Sequence, residues 1–138
     1  METNINNIND IDASAYKVMI LDDIPVNTRL LEKILERENF QLSIYNNSSL
    51  ALESLPEIMP DVLLLDIMMP GIDGLTFLTR LREDHAYDNV RVIMISAVSE
   101  SEEIIKASQL GANDYITKPI NPKRVVASVY NQIKQIKK

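Results

Sequence analysis

Five short strand-like runs punctuate the chain, and each is followed by a segment whose apolar residues recur at helical spacing. The runs are Lys17 to Leu21, Gln41 to Tyr45, Val62 to Leu65, Val90 to Ile95 and Asp114 to Thr117. Val62 to Leu65 is apolar throughout, with Pro60 before it and Pro70-Gly71 after it. That pattern predicts a strand buried on both faces, as at the centre of a parallel sheet.

The intervening segments predict five helices. Pro25 suits a first turn, where its missing N–H is not needed. Val26, Leu30, Leu31, Ile34 and Leu35 then share one arc, opposite Glu32, Glu36 and Arg37. Ser48 or Ser49 can cap a second helix through Leu50, Ala51, Leu52 and Leu55. The third carries Leu75, Phe77, Leu78 and Leu81. The fourth runs from Glu100 to Leu110, with Ile104 and Ile105 inward and Gly111 as its stop. The last spans Asn121 to Lys137 and gathers Val125, Val126, Val129, Ile133 and Ile136 on one face. Glu83 to Asn89 reads as a polar loop, and residues 1–15 as a leader with room for a short extra helix. One domain, residues 16–138, remains. Strand–helix alternation with helix-length crossovers predicts a doubly wound α/β fold around a five-stranded parallel sheet.

Composition narrows the function classes. Apolar residues make up 46% of the 138 positions and charged ones 25%, which places the chain among globular proteins. Twenty acidic side chains against 14 basic ones leave a net charge of -6, which disfavours direct nucleic-acid binding and adhesion to anionic membrane. There is no cysteine, so disulfides and thiolate metal sites are excluded, in keeping with a cytoplasmic location. No apolar run approaches the roughly 18 residues that read as a membrane helix.

The polar residues at the strand ends carry the chemistry. Asp22-Asp23 follow the first run, Asp66 the third, Ser96 the fourth and Lys118 the fifth. In a parallel sheet these carboxyl ends lie on one rim, where ligands collect. Three carboxylates suit a hard cation such as Mg²⁺, and an ammonium with a hydroxyl suits a phosphoryl group beside it. Each residue alone has an ordinary use. Asp22 or Asp23 could cap a helix, Asp66 could begin an Asx-turn, Ser96 could end any strand, and Lys118 could be a solvated charge.

Taken together, Val18-Met19-Ile20-Leu21-Asp22-Asp23, then Asp66-Ile67-Met68-Met69-Pro70-Gly71-Ile72-Asp73-Gly74, then Ser96-Ala97 and Lys118-Pro119 resemble the receiver domain of two-component response regulators. The resemblance covers Tyr16 to Ile136 and implies the flavodoxin-like fold, with strand order 2-1-3-4-5 and five helices. It further implies that Asp66 accepts a phosphoryl group from a histidine kinase or histidine phosphotransfer protein. Asp23, Asp66 and the backbone carbonyl of Met68 then ligate Mg²⁺, with Asp22 acting mainly through water. Lys118 pairs with a phosphoryl oxygen, Ser96 hydrogen-bonds it, and the backbone donors of Met68 and Ala97 complete the cradle. Tyr115 stands where receivers carry an aromatic switch, and Pro119 where they carry a cis proline. Asn27 matches an Asp-Asp-x-Pro-x-Asn variant that ties the first helix to the acidic site; the plainer reading is an amide bonded near a helix start. Met68 and Val98 occupy positions where polar side chains assist or hinder water, so slow loss of the phosphate is expected. The output surface is that of the fourth helix, fifth strand and fifth helix. A homodimer is compatible with the resemblance, and so is either a stand-alone regulator or a piece of a larger protein.

Three other classes compete. A Mg²⁺-dependent aspartyl phosphatase needs a second acid two positions after its nucleophile, where Met68 stands. A flavin or nucleotide module needs a Gly-rich or Ser/Thr-rich loop after the first strand, where Asp22-Asp23-Ile24-Pro25 stands. A docking scaffold without phosphorylation normally lacks an acid or the lysine, and all are present here.

Overall fold

The computed structural model describes residues 11–69, 71–97 and 100–136. Ten elements alternate: β1 (Lys17–Leu21), α1 (Pro25–Glu36), β2 (Gln41–Tyr45), α2 (Ser48–Ile58), β3 (Val62–Asp66), α3 (Gly74–Glu83), β4 (Arg91–Ser96), α4 (Ser101–Gln109), β5 (Asp114–Thr117) and α5 (Pro122–Lys134). All four strand pairings are parallel, in the order β2-β1-β3-β4-β5. The expected fold class and strand order are therefore observed, with β3 central and buried along its whole length.

Alternation along the strands builds two cores. Val18, Ile20, Val62, Leu64, Ile93 and Ile95 face Leu31, Leu35, Val125 and Val129 of α1 and α5. Met19, Leu21, Leu63, Leu65, Val92 and Met94 face the other layer, with Leu55 of α2, Phe77 and Leu78 of α3, and Ala107 of α4. Burial on both faces is why these strands are nearly continuously apolar.

Several local expectations need correction. The cap of α2 is Asn47, whose side chain accepts the Leu50 N–H at 3.0 Å; Ser48 is already helical. That helix also runs through Pro56. Ile105 points outward, 55% exposed, while Ala107 is buried. The buried arc of α4 runs through Ile104 and Ala107, one 100° step away from Ile105. Val26 and Leu30 are likewise exposed, because α1 buries Thr28, Leu31, Ile34 and Leu35 instead. Residues His85–Tyr87 form a 3₁₀ turn that buries Tyr87, where a polar loop was expected. The last helix ends at Lys134. Of the leader, residues 1–10 lie outside the described residues. Ala13–Ala15 form a 3₁₀ turn capped by Asp12, with Ala13 buried.

Arg82, on α3, holds the far end of this layer together. Its guanidinium donates to the carbonyls of Gly111 (2.9 and 3.1 Å), Tyr87 (2.9 Å) and Val90 (2.7 Å), and to Asn113 Oδ1 (3.2 Å). Gly111 has φ +106°, and a Cβ there would lie 2.9 Å from Arg82 Cγ, so both backbone and contact select glycine.

Candidate functional site: an acidic crevice with one lysine

The crevice forms where β1, β3 and β5 release the chain at the same rim. After Leu21 the chain turns sharply into α1. The Asp22 N–H donates to the Tyr45 carbonyl (3.2 Å), and the Ile24 N–H donates to Asp22 Oδ1 (2.9 Å). One oxygen of Asp22 thus does the ordinary work of an Asx-turn. The other faces the crevice. Pro25 opens α1, and no side chain caps it.

Asp66 is the last residue of β3 and is 4% exposed. The loop beyond it folds back so that the Gly74 N–H donates to the Ile67 carbonyl (2.9 Å). Gly74 opens α3 behind Asp73, whose carboxylate accepts the Thr76 N–H at 2.8 Å. A Cβ on Gly74 would run into the Asp66 carbonyl oxygen and lie 2.6 Å from Ile67 Cα. Only glycine lets α3 begin this close beneath the phosphoacceptor candidate.

Asp22, Asp23 and Asp66 each offer a carboxylate oxygen within 4.8 Å of the others. Lys118 reaches in from the end of β5. Its Nζ lies 3.3 Å from Asp66 Oδ1 and 3.5 Å from Asp22 Oδ2. The Lys118 backbone N–H donates to the Ser96 carbonyl (2.8 Å), and the Lys118–Pro119 peptide bond is cis. Ser96 is fully buried beside the site, and its side chain hydrogen-bonds Tyr115. Burial raises the Tyr115 phenol above its usual value, with the Ser96 hydrogen bond opposing. Met68 is 65% exposed, and Ala97 is exposed. Pro70 and Val98 lie outside the described residues.

The electrostatics favour an added cation. Three carboxylates against one ammonium leave an excess of negative charge in a largely buried place. Burial and the charge of Asp22 push Asp66 up to about 6, against the pull of Lys118. Asp23 Oδ1 is the one buried side-chain oxygen or nitrogen without a hydrogen-bond partner among the described residues. A buried carboxylate oxygen with no donor, beside two more carboxylates, fits a divalent metal ligated by oxygen.

One residue at this rim was not singled out by sequence reasoning. The Asn46 side chain donates to the Asp22 carbonyl (2.8 Å) and to Thr28 Oγ1 (3.0 Å). Among the described residues, Asn46, on the loop after β2, supplies a side-chain tie to the acidic turn, and no side-chain hydrogen bond from Asn27 does so. Only the place of Asn46 after a strand end could have flagged it.

Comparison with known proteins agrees with this geometry. The response regulator receiver domain family matches residues 18–130. Response regulator PleD of Caulobacter vibrioides is 35% identical over 113 residues, which is 82% of this chain and 25% of that protein. DNA-binding response regulator MtrA of Mycolicibacterium smegmatis is 30% identical over 125 residues, 91% of this chain and 54% of that protein. The chain therefore spans a quarter to about half the length of these relatives. The receiver domain of Francisella response regulator 1452 superposes with a TM-score of 0.82 at 27% identity, covering 88% of this chain and 99% of that one. With the sheet order, the acidic crevice and the family match in agreement, the chain belongs to the response regulator receiver domain family.

Proposed function

We propose that Asp66 accepts a phosphoryl group from the phosphohistidine of a histidine kinase or histidine phosphotransfer protein. The observation that carries this reading is the convergence of Asp22, Asp23, Asp66 and Lys118 on one crevice. An Asp66 carboxylate oxygen attacks phosphorus, and the P–N bond breaks. The electron pair leaves with the imidazole, which takes a proton from solvent, and an acyl phosphate remains on Asp66. Such transfers depend on placement and charge neutralisation more than on covalent help.

The chain's own groups supply much of both. The end of the central strand fixes Asp66 in place. Lys118 pairs with a phosphoryl oxygen, and the backbone N–H groups of Met68 and Ala97 donate to others. Asp23, Asp66 and the Met68 carbonyl would hold Mg²⁺, with Asp22 assisting through water. Once bound, the ion cancels the repulsion between the carboxylates and the incoming phosphate. Ser96 leaves its Tyr115 contact to donate to the phosphoryl group, and Tyr115 repacks. The surface of α4, β5 and α5 then shifts its equilibrium toward association with a partner or a second copy. The setting is cytoplasmic signalling.

An aspartyl phosphatase is disfavoured by Met68, an exposed thioether where an acid is needed. A docking scaffold is disfavoured by the retention of all three acids and the lysine. The test is incubation with acetyl phosphate and Mg²⁺ followed by intact mass. One phosphoryl adduct is expected on the parent chain, and none on Asp66→Asn or in excess EDTA. An adduct that persists on Asp66→Asn overturns the assignment.

A further inference from the structure

We infer that Asn46 is a positioning residue for the acidic crevice: it holds the turn that carries Asp22 and Asp23 in the geometry that receives the metal. This rests on the metal reading above. Asp22 and Asp23 are consecutive, and their oxygens meet Asp66 within 4.8 Å. Like charges brought this close destabilise the turn that carries two of them, and Lys118 offsets only part of that repulsion. Three hydrogen bonds further fix the turn. The Asp22 N–H is bonded to the Tyr45 carbonyl, the Ile24 N–H to Asp22 Oδ1, and the Asp22 carbonyl accepts from Asn46 Nδ2. The first two restrain the turn along its own path and against β2. The third is the side-chain bond that holds the peptide between the two aspartates.

Asn46 suits this task chemically. Its amide nitrogen has two hydrogens, and both are used. One goes to the Asp22 carbonyl (2.8 Å) and the other to Thr28 Oγ1 (3.0 Å). Thr28 in turn donates to the Pro25 carbonyl (3.1 Å), so its hydroxyl oxygen is left to accept. The relay therefore has one direction, from Asn46 through Thr28 to Pro25, and joins the loop after β2 to both sides of the acidic turn. Asn46 itself is exposed, outside both apolar cores, so its removal leaves the packing of the sheet intact. Its side-chain hydrogen bonds go to the Asp22 carbonyl and Thr28 and to none of the three carboxylates, which separates positioning from ligation.

Residues that orient metal ligands commonly change metal affinity by about tenfold or more when removed. Mg²⁺ binding to the full chain, measured by isothermal titration calorimetry, is therefore expected to weaken about tenfold in Asn46→Ala, with unchanged stoichiometry. Thr28→Val, which breaks the relay but spares the Asp22 contact, is expected to weaken it about threefold. At saturating Mg²⁺ both variants reach the parent's rate of labelling by acetyl phosphate. Affinities within twofold of the parent in both variants overturn the inference, as does a fall in the saturated rate equal to the fall in affinity. If Asn46→Ala fails to fold, Thr28→Val decides by the same measurements. A parent chain that takes up no Mg²⁺ refutes the metal reading itself, whereas a parent that binds alongside unaffected variants refutes only the role of Asn46.

Discussion

Lys118 Nζ and Asp66 Oδ1 come from residues 52 positions apart in the chain and stand 3.3 Å apart in the fold. The lysine is the only cation that pairs with the acidic crevice among the described residues. Replacing it by methionine keeps the stem and deletes the charge. The labelling rate with acetyl phosphate at saturating Mg²⁺ is expected to fall about 10²-fold, the usual consequence of losing one group aimed at developing charge. A Lys118→Met variant labelled at the parent's rate would remove the lysine from the reaction.

The same crowding of charge costs stability. Asp66, held at about 6, carries its charge at neutral pH against burial and the charge of Asp22. Between the ordinary 3.8 and that value, the folded chain keeps a proton the unfolded chain has released, so stability falls as pH rises through the window. In EDTA at pH 7.5, Asp66→Asn is expected to be more stable than the parent by roughly 1–3 kcal/mol in urea unfolding. The difference closes below pH 4. Added Mg²⁺ is expected to stabilise the parent and to leave the variant nearly unmoved in the same unfolding measurement.

Asp114 behaves in the opposite sense. Burial raises its carboxyl, but hydrogen bonds from Arg124, Ser128 and the Tyr115 N–H outweigh it and hold the group below 3.8. Its contribution is present above the unfolded value and is lost as pH falls through the lowered one. Asp114→Asn should therefore unfold at lower urea than the parent at pH 7, with the gap shrinking only as pH falls below the ordinary 3.8. Parallel profiles at all pH values would contradict the ion pair.

Gly74→Ala forces a methyl group against the backbone of Asp66 and Ile67, atoms that cannot rotate aside. The expected cost is about 1–3 kcal/mol, with displacement of the loop that carries Met68. Urea unfolding and Mg²⁺ titration measure the two effects. A variant with unchanged stability would show that the start of α3 has slack.

The phosphorylated chain should keep its label for minutes or longer, because the exposed thioether of Met68 cannot orient a water by hydrogen bonding. The decay of the adduct by intact mass, after removal of acetyl phosphate, reports the lifetime. Loss within seconds would count against this account of Met68.

Much of this molecule is written locally in its residues. The all-apolar run of β3 requires burial on both faces, Pro25 and Gly111 mark helix ends, and the acids, serine and lysine follow strands. These features follow from nearest-neighbour rules of period and backbone freedom. Tertiary structure decided which arc of each amphipathic helix is covered: Ala107 is buried rather than Ile105, and Thr28 rather than Val26. A helical pattern gives the period, but the neighbouring layer selects the phase. Packing also decided the long-range hydrogen bonds: Asn46 to the Asp22 carbonyl across 24 positions, and Arg82 to Gly111 across 29. An exposed asparagine and a surface-type arginine look alike in sequence whether or not a carbonyl waits for them, because only the folded chain brings that acceptor within reach.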